Sequence, residues 1–164
     1  MNVYIIAAVA ANGVIGNKGG IPWCKPCDLS VFRRRTLGCA LIVGRATAET
    51  LPRLPGRTVL AVSWAPGGRS IQGALDEAQG LGLDVWIAGG AEVYADALSG
   101  SYASHLVLTR LRESFEGDTW FPPIPPHWVL DCEAGACEGR REGCEPGCAG
   151  LISEWYRNPR CEAP

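Results

Sequence analysis

Five short runs dense in Val, Ile, Leu and Ala, none alternating with polar residues, constrain this chain more than any other feature. They lie at 3–10, 40–43, 58–63, 85–88 and 105–109. A strand with one face in water alternates, whereas a strand covered on both faces does not, so these runs point to a mostly parallel sheet buried between layers. Helical periodicity fills the intervals. Over 70–79, Ile71, Ala74, Leu75 and Ala78 recur at helical spacing behind Ser70, which can cap the first turn. A second helix opens at Asp28 and stops before Gly38, with Leu29 and Phe32 inward and Arg33 to Arg35 toward water. A third follows Gly44, and a fourth follows Gly89-Gly90 with Val93, Tyr94, Ala97 and Leu98 facing the core. Strand and helix in alternation predict an α/β chain, a three-layer sandwich with right-handed crossovers around a mostly parallel central sheet.

After Thr109 the helical pattern stops. Two further strands, 128–136 and 151–156, joined by a Gly- and Cys-rich loop, are expected to give the sheet an antiparallel C-terminal edge. The segment 121–126 is a connector, because its four prolines lack amide donors. The 164 residues suffice for one hydrophobic core, so the expectation is a single domain over 1–164. A formal net charge of −2 argues against nucleic acid as a partner, since phosphate binding needs a clustered positive surface. The first apolar run is too short to span a bilayer and carries no basic flank, so no membrane partner or export signal is expected. A cytoplasmic location follows, and the eight cysteines are then read as reduced thiols. No apolar helix face is left for a partner, which makes a monomer the default.

Ligands of an open α/β sheet bind beyond the carboxyl ends of its strands. Four features fall there. The loop 11–27, with Gly13, Gly16, Gly19 and Gly20 before Pro22-Trp23, has the freedom a lid needs. Asp28 stands among Trp23, Leu29, Val31 and Phe32; a carboxylate at a helix start is usually a cap, but an apolar pocket would raise its pKa and let it grip an aminopyrimidine edge. Gly44-Arg45-Ala46-Thr47 and Gly89-Gly90-Ala91-Glu92 each close a strand and open a helix, and amides at helix N-termini bind phosphates. Two such sites suit the two ends of a dinucleotide, although neither matches the usual glycine fingerprint.

In order, Ile6-Ala7-Ala8, Gly13-Val14-Ile15-Gly16, Ile21-Pro22-Trp23, Asp28-Leu29 with Phe32, Gly44-Arg45 with Thr47, Leu54-Pro55-Gly56-Arg57, Ser63, Gly89-Gly90-Ala91-Glu92-Val93-Tyr94 and Gly117-Asp118-Thr119 before Phe121-Pro122 resemble the dihydrofolate reductase family. The resemblance spans nearly the whole chain. It implies that family's fold and the reduction of 7,8-dihydrofolate to tetrahydrofolate by hydride from NADPH, in support of one-carbon and thymidylate metabolism. Antifolates such as trimethoprim would be further ligands.

By the same resemblance, Asp28 would be the working carboxylate, assisted by Trp23 and by Ile21 of the lid. Trp23 and Thr109 would fix the pteridine end through an ordered water, with Ile6, Ala8, Leu29, Phe32, Leu51 and Leu54 as apolar walls. Arg57 would pair with the glutamate tail. Arg45, Thr47 and Ser63 would hold the adenosine phosphates, Arg45 nearest the 2′-phosphate, with Gly44, Ala46 and Trp64 alongside. Gly89, Gly90 and Ala91 would hold the pyrophosphate with Glu92 and Val93 beside them. Tyr94, Ala8, Ile15 and Gly16 would lie at the nicotinamide, and the loop 16–21 would close over both ligands.

The chain departs from the family at Ala46 and Trp64, where relatives often carry polar or basic residues, and Arg69 is the candidate to compensate. The riboflavin-pathway pyrimidine reductase shares the fold and cofactor, but Pro22-Trp23 and Asp28 favour the folate enzyme; a noncatalytic folate or nucleotide binder is the reading from another class. Cys24 and Cys27 form a C-x-x-C that would make the lid redox-sensitive. Cys132, Cys137, Cys144 and Cys148 crowd the C-terminal hairpin with Cys161 nearby, but the gap from Cys137 to Cys144 is wider than a zinc knuckle uses, so no metal is expected. His105 and His127 lack a catalytic constellation and receive no role.

Overall fold

Seven strands form one sheet in the order β4-β3-β5-β1-β6-β9-β8, and a separate pair joins β2 to β7. This is seen in a computed structural model that describes residues 1–135 and 151–161. The strands are β1 (Val3–Val9), β2 (Val14–Gly16), β3 (Ala40–Gly44), β4 (Thr58–Val62), β5 (Val85–Ile87), β6 (His105–Arg110), β7 (Thr119–Trp120), β8 (Val129–Gly135) and β9 (Ile152–Arg157). The helices are α1 (Pro26–Thr36), α2 (Arg45–Thr50), α3 (Ile71–Gly80) and α4 (Ala91–Ser99). All five of the apolar runs became strands of the main sheet, and they pair in parallel. Among the described residues, no helix is long and apolar enough to cross a membrane.

The pleat of β1 divides the core. Val3, Ile5, Ala7 and Val9 pack with Ile71, Ala74 and Ala78 of α3 and Val93, Ala97 and Leu98 of α4. Ile6 faces the other way, with Leu41, Trp86 and Val107, and Phe32 of α1 closes over that cluster. Side chains alternate across a strand, so a run that is apolar throughout must be covered twice. Ile5, Leu41, Ile42, Ile87, Leu106 and Leu108 lose almost all contact with water, each burial contributing roughly 1.5–3 kcal/mol.

The C-terminal strands make the expected antiparallel edge in a specific way. Reversed β9 pairs with β6 (Thr109 opposite Ser153) and with β8, so the reversed strand lies one in from the edge and β8 is outermost. Ser70 caps α3 as its position suggests, its Oγ accepting from the Gly73 amide at 3.0 Å. The start of α1 needs correction. Pro26 occupies the first helical turn after Lys25, and Asp28 lies inside that turn, so the carboxylate is not the cap.

The cysteines also need correction. Cys24, Cys39, Cys132 and Cys161 are free thiols, whereas Cys27 is disulfide-bonded. Cys24 stays exposed on the loop, while Cys27 is drawn by α1 into an apolar cluster with Trp23, Leu111, Phe115 and Leu151, so the C-x-x-C does not close on itself. Ala136, Cys137, Cys144 and Cys148 lie outside the described residues.

Candidate active site

From β1 the chain runs outward to β3 and β4, returns to β5 beside β1, and then crosses to β6 on the other flank of β1. The order reverses at β1, and a crevice opens there beyond the strand ends. A cavity of about 1020 Å³ occupies it. The volume reaches the upper end of what single-ligand pockets offer, which leaves room for two ligands side by side.

One half of the cavity lies between α1 and β1. Ile6 and Ala8 come from the even face of β1, and Thr109 stands opposite Ala8 in register. Asp28 enters from α1 and is only 9% exposed. Burial pushes its carboxyl up to about 6, an effect partly offset by the Trp23 indole and the Arg35 guanidinium. Arg57 Nε, a buried donor on this half, lacks a hydrogen-bond partner among the described residues. A buried donor without a partner costs free energy, so its position suits a ligand that brings acceptors. Trp23 is held against the Phe115 ring at 5.3 Å, and Lys25 pairs with Glu113 at 2.6 Å.

The other half lies beyond β3, β4 and β5. The Gly44 amide donates to the Gly89 carbonyl at 2.7 Å, which sets the starts of α2 and α4 side by side. Both helices have glycine at the cap position and no capping side chain, in contrast to α3. Their first amides are therefore left for an anion. Gly89 sits at φ +109°, where an L side chain would be strained, and a Cβ on Gly90 would come within 3.2 Å of Thr47 Oγ1. Tyr94 lies beneath this cradle; its hydroxyl donates to the Ile6 carbonyl at 2.8 Å, and burial pushes the phenol up so that it stays neutral.

The loop 11–27 crosses the mouth. A Cβ on Gly19 would lie 3.5 Å from the Thr50 methyl at the end of α2, so this loop reaches the far wall. It is not irregular throughout, because β2 pairs with β7. The Lys18 amide donates to Asp118 Oδ2 at 2.9 Å, and the Phe121 amide to the Gly13 carbonyl at 2.9 Å. Ile21, Leu29 and Trp64 line the cavity yet are 58%, 54% and 57% exposed, apolar surface that a ligand would cover.

Every residue expected to touch substrate or cofactor lines this one cavity, from Ile6 on β1 to Thr109 on β6. Arg69 does not; it pairs with Glu77 at 3.0 Å instead of compensating at the cofactor end. Three polar side chains in the lining, Arg33, Thr50 and Thr119, have no site role in the sequence reading. Arg33 was assigned to water, although it follows Leu29 by four positions on the same helix face, a spacing that would have found it. Thr50 carries no local signal and is placed by the end of α2, while Thr119, part of the motif 117–119 but without an expected role, is brought to the cavity by the unforeseen strand β7.

A sequence profile of the family described as dihydrofolate reductase matches residues 2–140. Dihydrofolate reductase type 3 of Salmonella typhimurium is 40% identical over 130 residues, covering 74% of this chain and 79% of its own length. The dihydrofolate reductase of Bacillus subtilis is 35% identical over 138 residues, covering 78% of this chain and 80% of its own. Among solved structures, dihydrofolate reductase from Enterococcus faecalis, complexed with NADP(H) and RAB-propyl, superposes with a TM-score of 0.79 at 28% identity over 96% of both chains.

Proposed function

The chain belongs to the dihydrofolate reductase family and reduces 7,8-dihydrofolate to 5,6,7,8-tetrahydrofolate with NADPH; we propose that it does so in the cavity between α1 and the ends of β1, β3, β5 and β6, with Asp28 as the working carboxylate. The single observation that carries this assignment is a carboxyl held near pH 6 by burial among Ile6, Leu29, Phe32 and Trp23, since a group poised there exchanges protons at neutral pH.

Bound NADPH supplies the hydride. The residues present fit it, because Gly89 and Gly90 form a glycine cradle and two helix starts carry no capping side chain. In this reading Gly44, Ala46, Thr47, Ser63, Trp64 and Arg45 hold the adenosine end, and Gly89, Gly90, Ala91, Glu92 and Val93 the pyrophosphate. Ala8, Ile15, Gly16 and Tyr94 position the nicotinamide ring. Asp28 accepts the paired N–H groups of the pterin edge and holds the proton that its ring nitrogen takes up. Trp23 Nε1 and the Thr109 hydroxyl fix that edge through water. Leu51 and Leu54 wall the aminobenzoyl group, Arg57 forks onto the glutamate carboxylate, and Ile21 shuts water out.

The same pocket takes antifolates of the diaminopyrimidine type, trimethoprim among them, because their cationic edge pairs with Asp28. The chain acts in the cytoplasm as a single-domain monomer, supplying one-carbon and thymidylate metabolism, with neither nucleic acid nor membrane as a partner. Loss of NADPH absorbance with dihydrofolate tests the assignment. Asp28→Asn should cut turnover at least a hundredfold while the NADPH dissociation constant stays within about twofold, as expected for loss of a proton-handling group. Full activity in that variant would remove Asp28 from the chemistry.

A further inference from the structure

The adenosine end of the cavity is poor in charge and rich in apolar surface. Pairing of Gly44 with Val62 in register sets Arg45 and Ser63 side by side just past the ends of β3 and β4, with Trp64 next along the chain. The cavity's cations among the described residues are Arg33, Arg45 and Arg57. Arg33 belongs to α1 and Arg57 follows Leu54, both on the substrate half, and Arg69 is engaged with Glu77. Arg45 is thus the one cation at this end among the described residues. Trp64 also lines this end and is more than half exposed, and the nearby lining residue Ala46 offers only a methyl group.

The indole is carried on a built turn. Ser63 Oγ accepts from the Ala65 amide at 3.2 Å, the Ser63 amide donates to the Arg69 carbonyl at 2.9 Å, and the Gly68 amide donates to the Ala65 carbonyl at 2.8 Å. Any side chain at Gly68 would run into the Ser63 carbonyl. A large flat ring, fixed at the rim of a cavity and uncovered, is a stacking surface for a base.

We propose that Trp64 is the platform for the adenine of the cofactor, and that Arg45 alone answers its 2′-phosphate. This rests on the reading that the cavity holds a nicotinamide dinucleotide. Most affinity at this end then comes from stacking, which NADPH and NADH share, and only the Arg45 contact separates them. The chain accordingly discriminates between the two cofactors through one charge pair.

Calorimetric titration of the purified protein with NADPH, NADH and 2′,5′-ADP tests this. Trp64→Ala should weaken all three by about tenfold, the range that a lost base–aromatic stack gives, and Trp64→Phe should recover most of it. Arg45→Ala should weaken NADPH and 2′,5′-ADP by about tenfold or more and leave NADH within about twofold, as loss of a single charge-assisted contact would. Unchanged NADH affinity in a folded Trp64→Ala variant would overturn the platform, while wild-type turnover and NADPH binding kept the cofactor site itself intact. A wild type that binds no NADPH would instead overturn the site reading, and the platform with it.

Discussion

A carboxyl that burial holds near pH 6 works against the fold at neutral pH. Asp28 moves from an ordinary value of 3.8 to about 6, so the folded chain binds a proton more tightly than the unfolded one. The sign follows from that. Below pH 3.8 both states carry the proton and there is no penalty; between 3.8 and about 6 the penalty grows with pH, and above 6 it is constant at up to about 3 kcal/mol. Asp28→Asn keeps the shape and removes the charge, so it should raise the melting temperature at pH 7 by several degrees while abolishing most turnover. The gain should shrink on acidification and vanish near pH 3.8, which thermal melts across that range would show; a variant less stable than wild type at pH 7 would contradict the assignment. The same group predicts that kcat/KM for dihydrofolate falls as pH rises through about 6, when free Asp28 loses its proton, and that this step disappears in the Asn variant. At this scale the identity of Asp28 was legible, because apolar and aromatic residues surround it in sequence. Its desolvation was not. That depends on the tertiary assembly of the cavity, whose lining includes Ile6 and Thr109 from strands 22 and 81 positions away.

Among the elements, the lid shows where local reading stops. Glycines marked the loop 11–27 as mobile, yet β2 within it pairs with β7, and neither strand is long enough to show a period of two. Long elements such as α3 declared themselves through periodicity and a cap, whereas pairing between segments a hundred residues apart leaves no local trace. Gly117 is the joint of this small sheet. A Cβ there would meet both Val14 and the Gly16 carbonyl, so Gly117→Ala must part β2 from the 113–121 segment. Such overpacking typically costs about 1–3 kcal/mol. The cost should appear as lid opening before it appears as unfolding, because the main sheet makes no use of β7. Hydrogen exchange should be faster at the Lys18 amide in the Ala variant, and NADPH should dissociate several-fold faster, with protection in β1 and β6 unchanged. Equal loss of protection in β1 would mean that Gly117 supports the core and not the lid.

Across the whole molecule, the fold class could be read from the covered-strand pattern, but the strand order could not, since every parallel pairing joins segments separated by a crossover. That order is what makes the cavity. It sets β1 between a β3-β4-β5 flank offering anion-binding helix starts and a β6 flank offering, with α1, the carboxylate pocket. Both halves share β1, and its two faces contribute to cores on either side of the sheet, so a ligand on one half should hold the entire chain together. NADPH at a hundred times its dissociation constant should then add about 2.7 kcal/mol to the folded state. For a chain of this length that corresponds to a rise in melting temperature of about 5–10 °C in one transition. Calorimetric scans at increasing NADPH would show whether that single peak moves upward with the logarithm of concentration. A peak that splits, with one part insensitive to NADPH, would mean that the substrate half melts independently and that residues 1–164 are more than one cooperative unit.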